Sequence, residues 1–496
     1  VISQRTPIRD QEDLARRALA EGDEDVALPI VRAEAERTSN ARLWQWAGLL
    51  ERAIDEHAQA LDSFDKAAAL APADAGIAHG RARAALEAGI PAASELFRRA
   101  VQLAPADGEI LVGYAAAMFA CGLGDQAESM LDLALSRSPL WLQGHVQLAQ
   151  LRATLGKREL AVQSVERALR SESGQEGLWT TLFGILLQAQ QFAELDEAIS
   201  RARGTTLSDQ TLALYESIAA AELGQTSRAD KLFTKMHDDL RASVEVWRIR
   251  HLLRSGRIPE AIAAIDADLE TDRAAFVWPY ATVAWRLAGD PRWEWLEGDL
   301  DRLISVIDLK SELPDIGQLD RTLRGLHRAK GEYLDQSVRG GSQTDGPLFS
   351  RTDPTIRALR AAIVSAVERY MRTLPARDPR HPLLAPPRDQ RIRFSGSWSV
   401  LLRGGGHHSN HVHPQGWISS ALYVSLPSRS PDEPERAGWL TLGEPQKEIG
   451  LKLTPFRYVE PRIGRLVLFP SWMWHGTIPF ESGERLTVAF DVRPPI

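Results

Sequence analysis

One cysteine, Cys121, stands in a chain of 496 residues. That excludes an intramolecular disulfide, a CxxC zinc site and a disulfide-stapled scaffold, and makes a reducing compartment, the cytoplasm, the simplest expectation. No stretch reaches the roughly 18–20 uninterrupted apolar residues that a membrane span needs, so no membrane association is expected. The first residues, Val1-Ile2-Ser3-Gln4-Arg5, contain no apolar signal core, and the absence of an initial Met leaves a removed leader open. Positive charge is not in excess either. Lys+Arg number 59 against 66 Asp+Glu, a formal net charge of −7, which argues against a nucleic-acid partner recruited by bulk electrostatics.

What is present is the balance of a soluble globular chain, 44% hydrophobic and 25% charged. The length exceeds the ~250–300 residues at which single cores stop growing, so two or more domains are expected. Up to about residue 290 the sequence is rich in Ala, Leu, Glu and Arg. From Arg391 onward it carries glycine clusters, prolines, β-branched residues and five of the fourteen tryptophans. A shift of this kind marks a domain boundary. The reading is residues 10–290 as one unit, 291–390 as a junction partly belonging to the next, and 391–496 as a second core.

The amino-terminal unit repeats. Ala69-Leu70-Ala71-Pro72-Ala73-Asp74 returns as Gln102-Leu103-Ala104-Pro105-Ala106-Asp107 and, more divergent, as Ser136-Arg137-Ser138-Pro139-Leu140-Trp141. A spacing of 33 and 34 residues between the prolines, with two apolar-periodic helices per period, is the tetratricopeptide signature. Within one unit, Leu148-Ala149-Gln150-Leu151 is followed by Leu155-Gly156-Lys157 and Leu160-Ala161, so that Gly156 closes the first helix where a positive φ is tolerated. About seven such units, an α-solenoid, are expected between residues 10 and 290. Such an array offers a concave surface to an extended peptide or a partner helix. His57, His79, His145, His237 and His251 are scattered through it without metal-ligand spacing, and Trp44, Trp46, Trp141, Trp179, Trp247 and Trp278 are expected to serve packing.

The junction contains a polar, glycine-rich stretch from Leu334 to Gly346, readable as a flexible linker or as an ordered loop over a pocket. A helical run at 355–374 and a proline-rich loop follow. Beyond Arg391, short apolar runs at 397–402, 417–426, 438–442, 464–469 and 485–491 are each bounded by Gly, Pro or Ser, which suggests a β-sandwich or barrel such as a jelly roll.

The chemistry concentrates there. Four of the twelve histidines, His407, His408, His411 and His413, fall within seven residues, and His475 stands alone after a Trp-Met-Trp run. Residues two apart on an extended segment point to one side, so His411 and His413 can converge on one ion. A distant third histidine would complete a facial set and leave positions open for a bidentate cosubstrate and oxygen. Arg485, with Thr487 two residues on, opens the last strand, and a planar guanidinium suits a carboxylate.

These residues carry a resemblance. Asn410-His411-Val412-His413-Pro414, Ile418-Ser419-Ser420-Ala421-Leu422-Tyr423-Val424 and Gly464-Arg465-Leu466-Val467-Leu468-Phe469-Pro470-Ser471, with His475 and Arg485, resemble the 2-oxoglutarate/Fe(II)-dependent oxygenases. More narrowly they resemble a bacterial branch fused to tetratricopeptide repeats. The resemblance covers about residues 330–496. It implies a double-stranded β-helix (jelly roll) that holds Fe(II) and takes 2-oxoglutarate and O2. His411 and His475 match the histidine ligands, Arg485 the carboxylate anchor, and Thr487 and Tyr423 further contacts to the keto acid.

The departure is His413, where the family's usual triad has Asp or Glu. Three neutral imidazoles would leave the metal at +2, which a dianionic 2-oxoglutarate neutralises. Coordination by His413 is favoured over water in its place, although the aspartyl/asparaginyl β-hydroxylases also lack the carboxylate. His407, His408, Trp417 and Trp474 are expected at the substrate rim. The implied activity is hydroxylation of a peptide or protein side chain presented by the repeats. Two alternatives stay open: a non-catalytic scaffold with a degenerate ligand-binding jelly roll, and a three-histidine cupin-like metalloenzyme.

Overall fold

A computed structural model describes residues 8–429 and 431–495. Sixteen α-helices from Ile8–Glu21 to Ile258–Leu269 form eight helix–turn–helix pairs, one more than the repeat spacing suggested, and the helix Ala274–Ala288 extends the array. The turn inside each pair places one residue in the left-handed region. These are Gly22, Asp55, Gly89, Gly122, Gly156, Gln190, Gly224 and Gly256, and Gly289 continues the series after Ala288. They recur every 32 to 34 residues, so the period is written into the backbone even where Asp55 and Gln190 obscure it in the sequence. A residue without a Cβ adopts this conformation at least cost, which is why glycine occupies seven of the nine positions.

The Pro-Ala-Asp elements work at the other end of each pair. Asp74 accepts a hydrogen bond from the Ile77 amide at 3.0 Å, and Asp107 accepts from Glu109 and Ile110 at 2.9 and 3.1 Å, capping the next helix. In the divergent copy Trp141 stands at this position and supplies no side-chain cap. Its indole instead fills the space over Gly108 and Gly144, where a Cβ would collide with the ring.

Among the described residues nine strands follow: β1 (Ser305–Asp308), β2 (Val338–Gln343), β3 (Phe394–His408), β4 (Ile418–Ser425), β5 (Leu440–Leu442), β6 (Arg457–Val459), β7 (Arg465–Pro470), β8 (His475–Thr477) and β9 (Glu484–Val492). They pair antiparallel in a six-stranded sheet, β1-β7-β4-β9-β3-β2, and a three-stranded sheet, β6-β5-β8. The fold is therefore a helical array of tetratricopeptide type joined to a jelly roll. Alternation along the strands separates two environments. Leu486, Val488, Phe490 and Val492 of β9 pack with Ile356, Leu359, Ile363, Val367 and Tyr370 of the helix Pro354–Thr373, outside the large sheet. Their neighbours Arg485, Thr487, Ala489 and Asp491 face the cavity between the sheets.

The glycine-rich stretch is an ordered edge strand, β2, paired with β3. Gly341 lies so close to the Leu401 carbonyl that a Cβ would clash with it, so the glycines serve backbone approach rather than flexibility.

The jelly-roll part is seated along the edge of the array where the turns emerge. Asp55 meets Arg360 at 3.3 Å, Thr352 donates its amide to Ala88 at 3.0 Å, and Lys330 and Gly331 donate theirs to Thr154 at 2.8 and 3.0 Å. Farther along, Arg250 donates to Gln446 at 2.7 Å and Arg254 to the Glu448 carbonyl at 2.9 Å. Arg286 bonds the Gly443 carbonyl, and the Trp474 indole donates to the Pro279 carbonyl at 2.8 Å. The apolar core is shared: Ile249, Leu253, Val277 and Trp285 of the last helices belong to the same cluster as Leu486 and Phe490 of β9.

Candidate metal centre

Three imidazoles meet where the two sheets open toward the array. His475 begins β8, and His411 pairs with it through reciprocal backbone hydrogen bonds of 2.9 and 3.0 Å. His413 is tied to the other side, its amide donating to Ser471 at 2.9 Å. The ring centroids lie 4.1 Å (His411–His475), 4.9 Å (His411–His413) and 5.2 Å (His413–His475) apart, and one nitrogen from each lies within 4.8 Å of the others.

The second nitrogen of each ring fixes its tautomer. Nδ1 of His411 faces the Ser409 carbonyl at 2.8 Å and Nδ1 of His475 faces the Met473 carbonyl at 3.0 Å. Carbonyl oxygens only accept, so both Nδ1 atoms carry the hydrogen and both Nε2 atoms present a lone pair. His413 Nδ1 faces the Asp491 carboxylate at 2.7 Å, which leaves its Nε2 in the same condition. Asp491 is itself held by the Ser419 hydroxyl at 2.5 Å, and the Trp398 ring stacks on His413 at 5.7 Å with an interplanar angle of 11°.

Burial, foremost, holds His411 down to about 3 and His475 well below the ordinary histidine range, so both rings are neutral donors. For His413 burial acts in the same direction, but the Asp491 carboxylate and its hydrogen bond prevail and raise it. The donor set is that of a borderline divalent metal, and the oriented second nitrogens are the usual companions of such ligands. The residues fit a metal ion.

Deeper in the same cavity, Arg485 is 2% exposed. Its Nη1 donates to the Gly438 carbonyl at 2.8 Å and its Nη2 to the Thr477 hydroxyl at 3.1 Å, while Nε has no partner. No carboxylate pairs with this guanidinium among the described residues. A buried charge without a counter-ion is costly, and an anionic ligand removes that cost. The Tyr423 hydroxyl, also buried and unpartnered, and Thr487, directly opposite Tyr423 in the β4–β9 register, line the same end. The residues fit a carboxylate-bearing cosubstrate.

The cavity measures about 680 Å³. Of the expected rim residues, His408 and Trp474 line it and His407 and Trp417 do not. His407 precedes His408 on β3, so its ring falls on the opposite side. Trp417 points into the core, its indole donating to the Leu383 carbonyl at 3.0 Å. His408 stacks near His411, at 5.9 Å, and faces the Ser337 hydroxyl at 3.2 Å.

Sequence reasoning missed Asp491, although it stands in the same two-residue register as Arg485 and Thr487, and that register was the available signal. It also missed Ser337, 3.1 Å from His411 Nε2, and the wall contributed by the array, where Trp247 lines the cavity instead of serving packing alone. No sequence periodicity points to those two.

Residues 396–491 match the family model described as Putative 2OG-Fe(II) oxygenase, and residues 90–155 match a tetratricopeptide repeat model. A comparison with curated proteins finds no match. Among solved structures, the chain is similar to a prolyl-4-hydroxylase from Pseudomonas putida, with 17% identity over 41% of this chain and 98% of that one and a TM-score of 0.28. It is similar to MamA from Desulfovibrio magneticus, with 16% identity over 35% of this chain and 99% of that one and a TM-score of 0.30. A thermophilic TPR protein of Thermus thermophilus gives 18% identity over 36% of this chain and 100% of that one and a TM-score of 0.29. Repeats of tetratricopeptide type and an oxygenase-type domain thus occur in one chain.

Proposed function

We propose that the protein is a 2-oxoglutarate- and Fe(II)-dependent oxygenase that hydroxylates a side chain of a peptide or protein. One observation carries the reading. Three Nε2 lone pairs, each freed by an acceptor on Nδ1, converge in the cavity that also buries a guanidinium lacking a counter-ion. The lone cysteine suits a reducing compartment, and we place the protein in the cytoplasm; among the described residues no helix is long and apolar enough to cross a membrane.

In this reading His411, His413 and His475 hold the iron. Arg485, with Tyr423 and Thr487, holds the far carboxylate of 2-oxoglutarate and sets the distance of its keto end from the histidines. Bound iron supplies activation of O2, which protein side chains cannot perform. The reaction balances as R–H + O2 + 2-oxoglutarate → R–OH + succinate + CO2. One oxygen atom enters the new hydroxyl and the other the succinate carboxylate, and the substrate and the keto acid each give up two electrons. The chain's own work is to bind, orient and exclude water. Asp491 keeps His413 in one tautomer, Trp398 fixes its ring plane, and Phe469, 4.7 Å from His475, walls the metal side.

The test is direct. Anaerobic protein loaded with Fe(II) should bind 2-oxoglutarate, and air with a suitable peptide should release succinate in equal amount to hydroxylated product. Iron-loaded protein that ignores 2-oxoglutarate would end the proposal.

A further inference from the structure

The cavity does not end at the jelly roll. Part of its lining is supplied by the array: Phe192 from the start of the second helix of the sixth pair, Trp247 from the first helix of the eighth, and Phe276 and Tyr280 from the helix Ala274–Ala288. Phe192 and Trp247 meet edge to face at 6.2 Å, and Phe276 is 42% exposed. Phe192 and Trp247 also pack against the core of the array and Tyr280 is buried against Trp474, yet all four rings line the cavity that holds the three histidines. Polar side chains line the same cavity. They include the exposed Gln415 and Gln336, whose side-chain oxygen is buried without a partner.

A cleft that offers both aromatic rings and side-chain amides matches an extended polypeptide, whose side chains and backbone amides alternate in direction. Phosphate-bearing polymers are disfavoured, since they need free cations. Arg250 is engaged by Glu222 at 2.9 Å and by Gln446 at 2.7 Å, and among the cavity-lining residues the exposed charges are those of Asp335 and Glu448.

We infer that Phe192, Trp247, Phe276 and Tyr280 form an apolar subsite for an aromatic or aliphatic side chain flanking the modified residue of an extended polypeptide. The inference rests on the oxygenase reading and adds to it which surface selects the substrate. The repeats are then part of the active-site wall, and selection operates on the aromatic side chains of their last helices.

The experiment uses the full chain with Fe(II), 2-oxoglutarate and air on a randomised library of linear dodecapeptides. Peptides gaining one oxygen atom are sequenced by mass spectrometry. They should share an apolar residue at one fixed offset from the oxidised position. With the best such peptide, Phe276→Ala and Trp247→Ala should lower kcat/KM about tenfold or more, mainly through KM, as expected for losing one buried apolar contact. Affinity for 2-oxoglutarate, measured on the Mn(II) form, is the control for folding and should stay within about twofold. The subsite is overturned if oxidised peptides show no such offset, if both variants keep the wild-type preference, or if protein that binds 2-oxoglutarate leaves the library unmodified. Absence of metal and 2-oxoglutarate binding would remove the oxygenase reading itself.

Discussion

In the proposed reading His413 takes the place of a carboxylate ligand, and a carboxylate, Asp491, stands one hydrogen bond farther out. Asp491 at 2.7 Å gives the His413 ring its charge complement and fixes its orientation. Asp491→Asn should therefore lower affinity for Mn(II) about 10- to 100-fold in a chelator competition, the usual range for losing such a partner. Unchanged affinity would mean that His413 is not a ligand. At the other end of the cavity, Arg485→Ala should weaken 2-oxoglutarate binding about 100-fold while changing metal affinity little, because a buried charge pair would be broken. Arg485→Lys should restore little of it, since an ammonium cannot reproduce the planar fork. Calorimetric titration of the Mn(II) form with 2-oxoglutarate reads both variants.

Elements explain why these residues meet. On β9 the two-residue alternation gives one face to the core against the helix Pro354–Thr373 and the other to the cavity. A one-residue slip would exchange Arg485 for Leu486, so the apolar face holds the charged face in register. In the array the comparable device is the left-handed turn residue. Gly256 has φ 72° and open space around a hypothetical Cβ, so Gly256→Ala should cost about 1 kcal/mol for conformation alone. Faster amide exchange confined to the helices Asp238–Arg254 and Ile258–Leu269 is the expected readout.

His327 links two strands, with Nδ1 2.9 Å from Ser342 on β2 and Nε2 3.2 Å from Ser399 on β3. Burial, helped by Arg324 and Arg403 against Glu484, lowers it from 6.5 to about 4. Below pH 6.5 the unfolded chain binds a proton that the folded chain refuses, so stability should fall as pH drops from 6.5 toward 4. In His327→Gln that part of the slope should vanish from denaturation midpoints measured across this range.

For the whole molecule the decisive fact is that the last helices and the jelly roll share one core. Ile249, Val277 and Trp285 contact the same cluster as Leu486 and Phe490, and the Trp474 indole reaches the Pro279 carbonyl. A fragment 291–496 would expose those contacts. It should behave as an expanded state that binds a hydrophobic dye and is digested rapidly, in contrast to the full chain. Protease resistance equal to that of the full chain would show that the array is dispensable for folding.

Much of this was legible in the sequence because it is local. The Pro-Ala-Asp elements cap helices, glycine marks their turns, and His411, His413, His475 and Arg485 stand out by residue type and spacing. The period was under-read by one pair because Asp55 and Gln190 occupy left-handed turns without being glycine. The glycine-rich stretch was ambiguous because only the neighbouring strand shows whether glycine serves mobility or close approach. Two architectures, and the residue types able to bind a metal and an anion, follow from periodicity and spacing along the chain alone. That Asp491 stands behind His413, and that helices from the array close the cavity, is settled only in three dimensions. Both depend on through-space packing of segments whose separation along the chain carries no periodic signal.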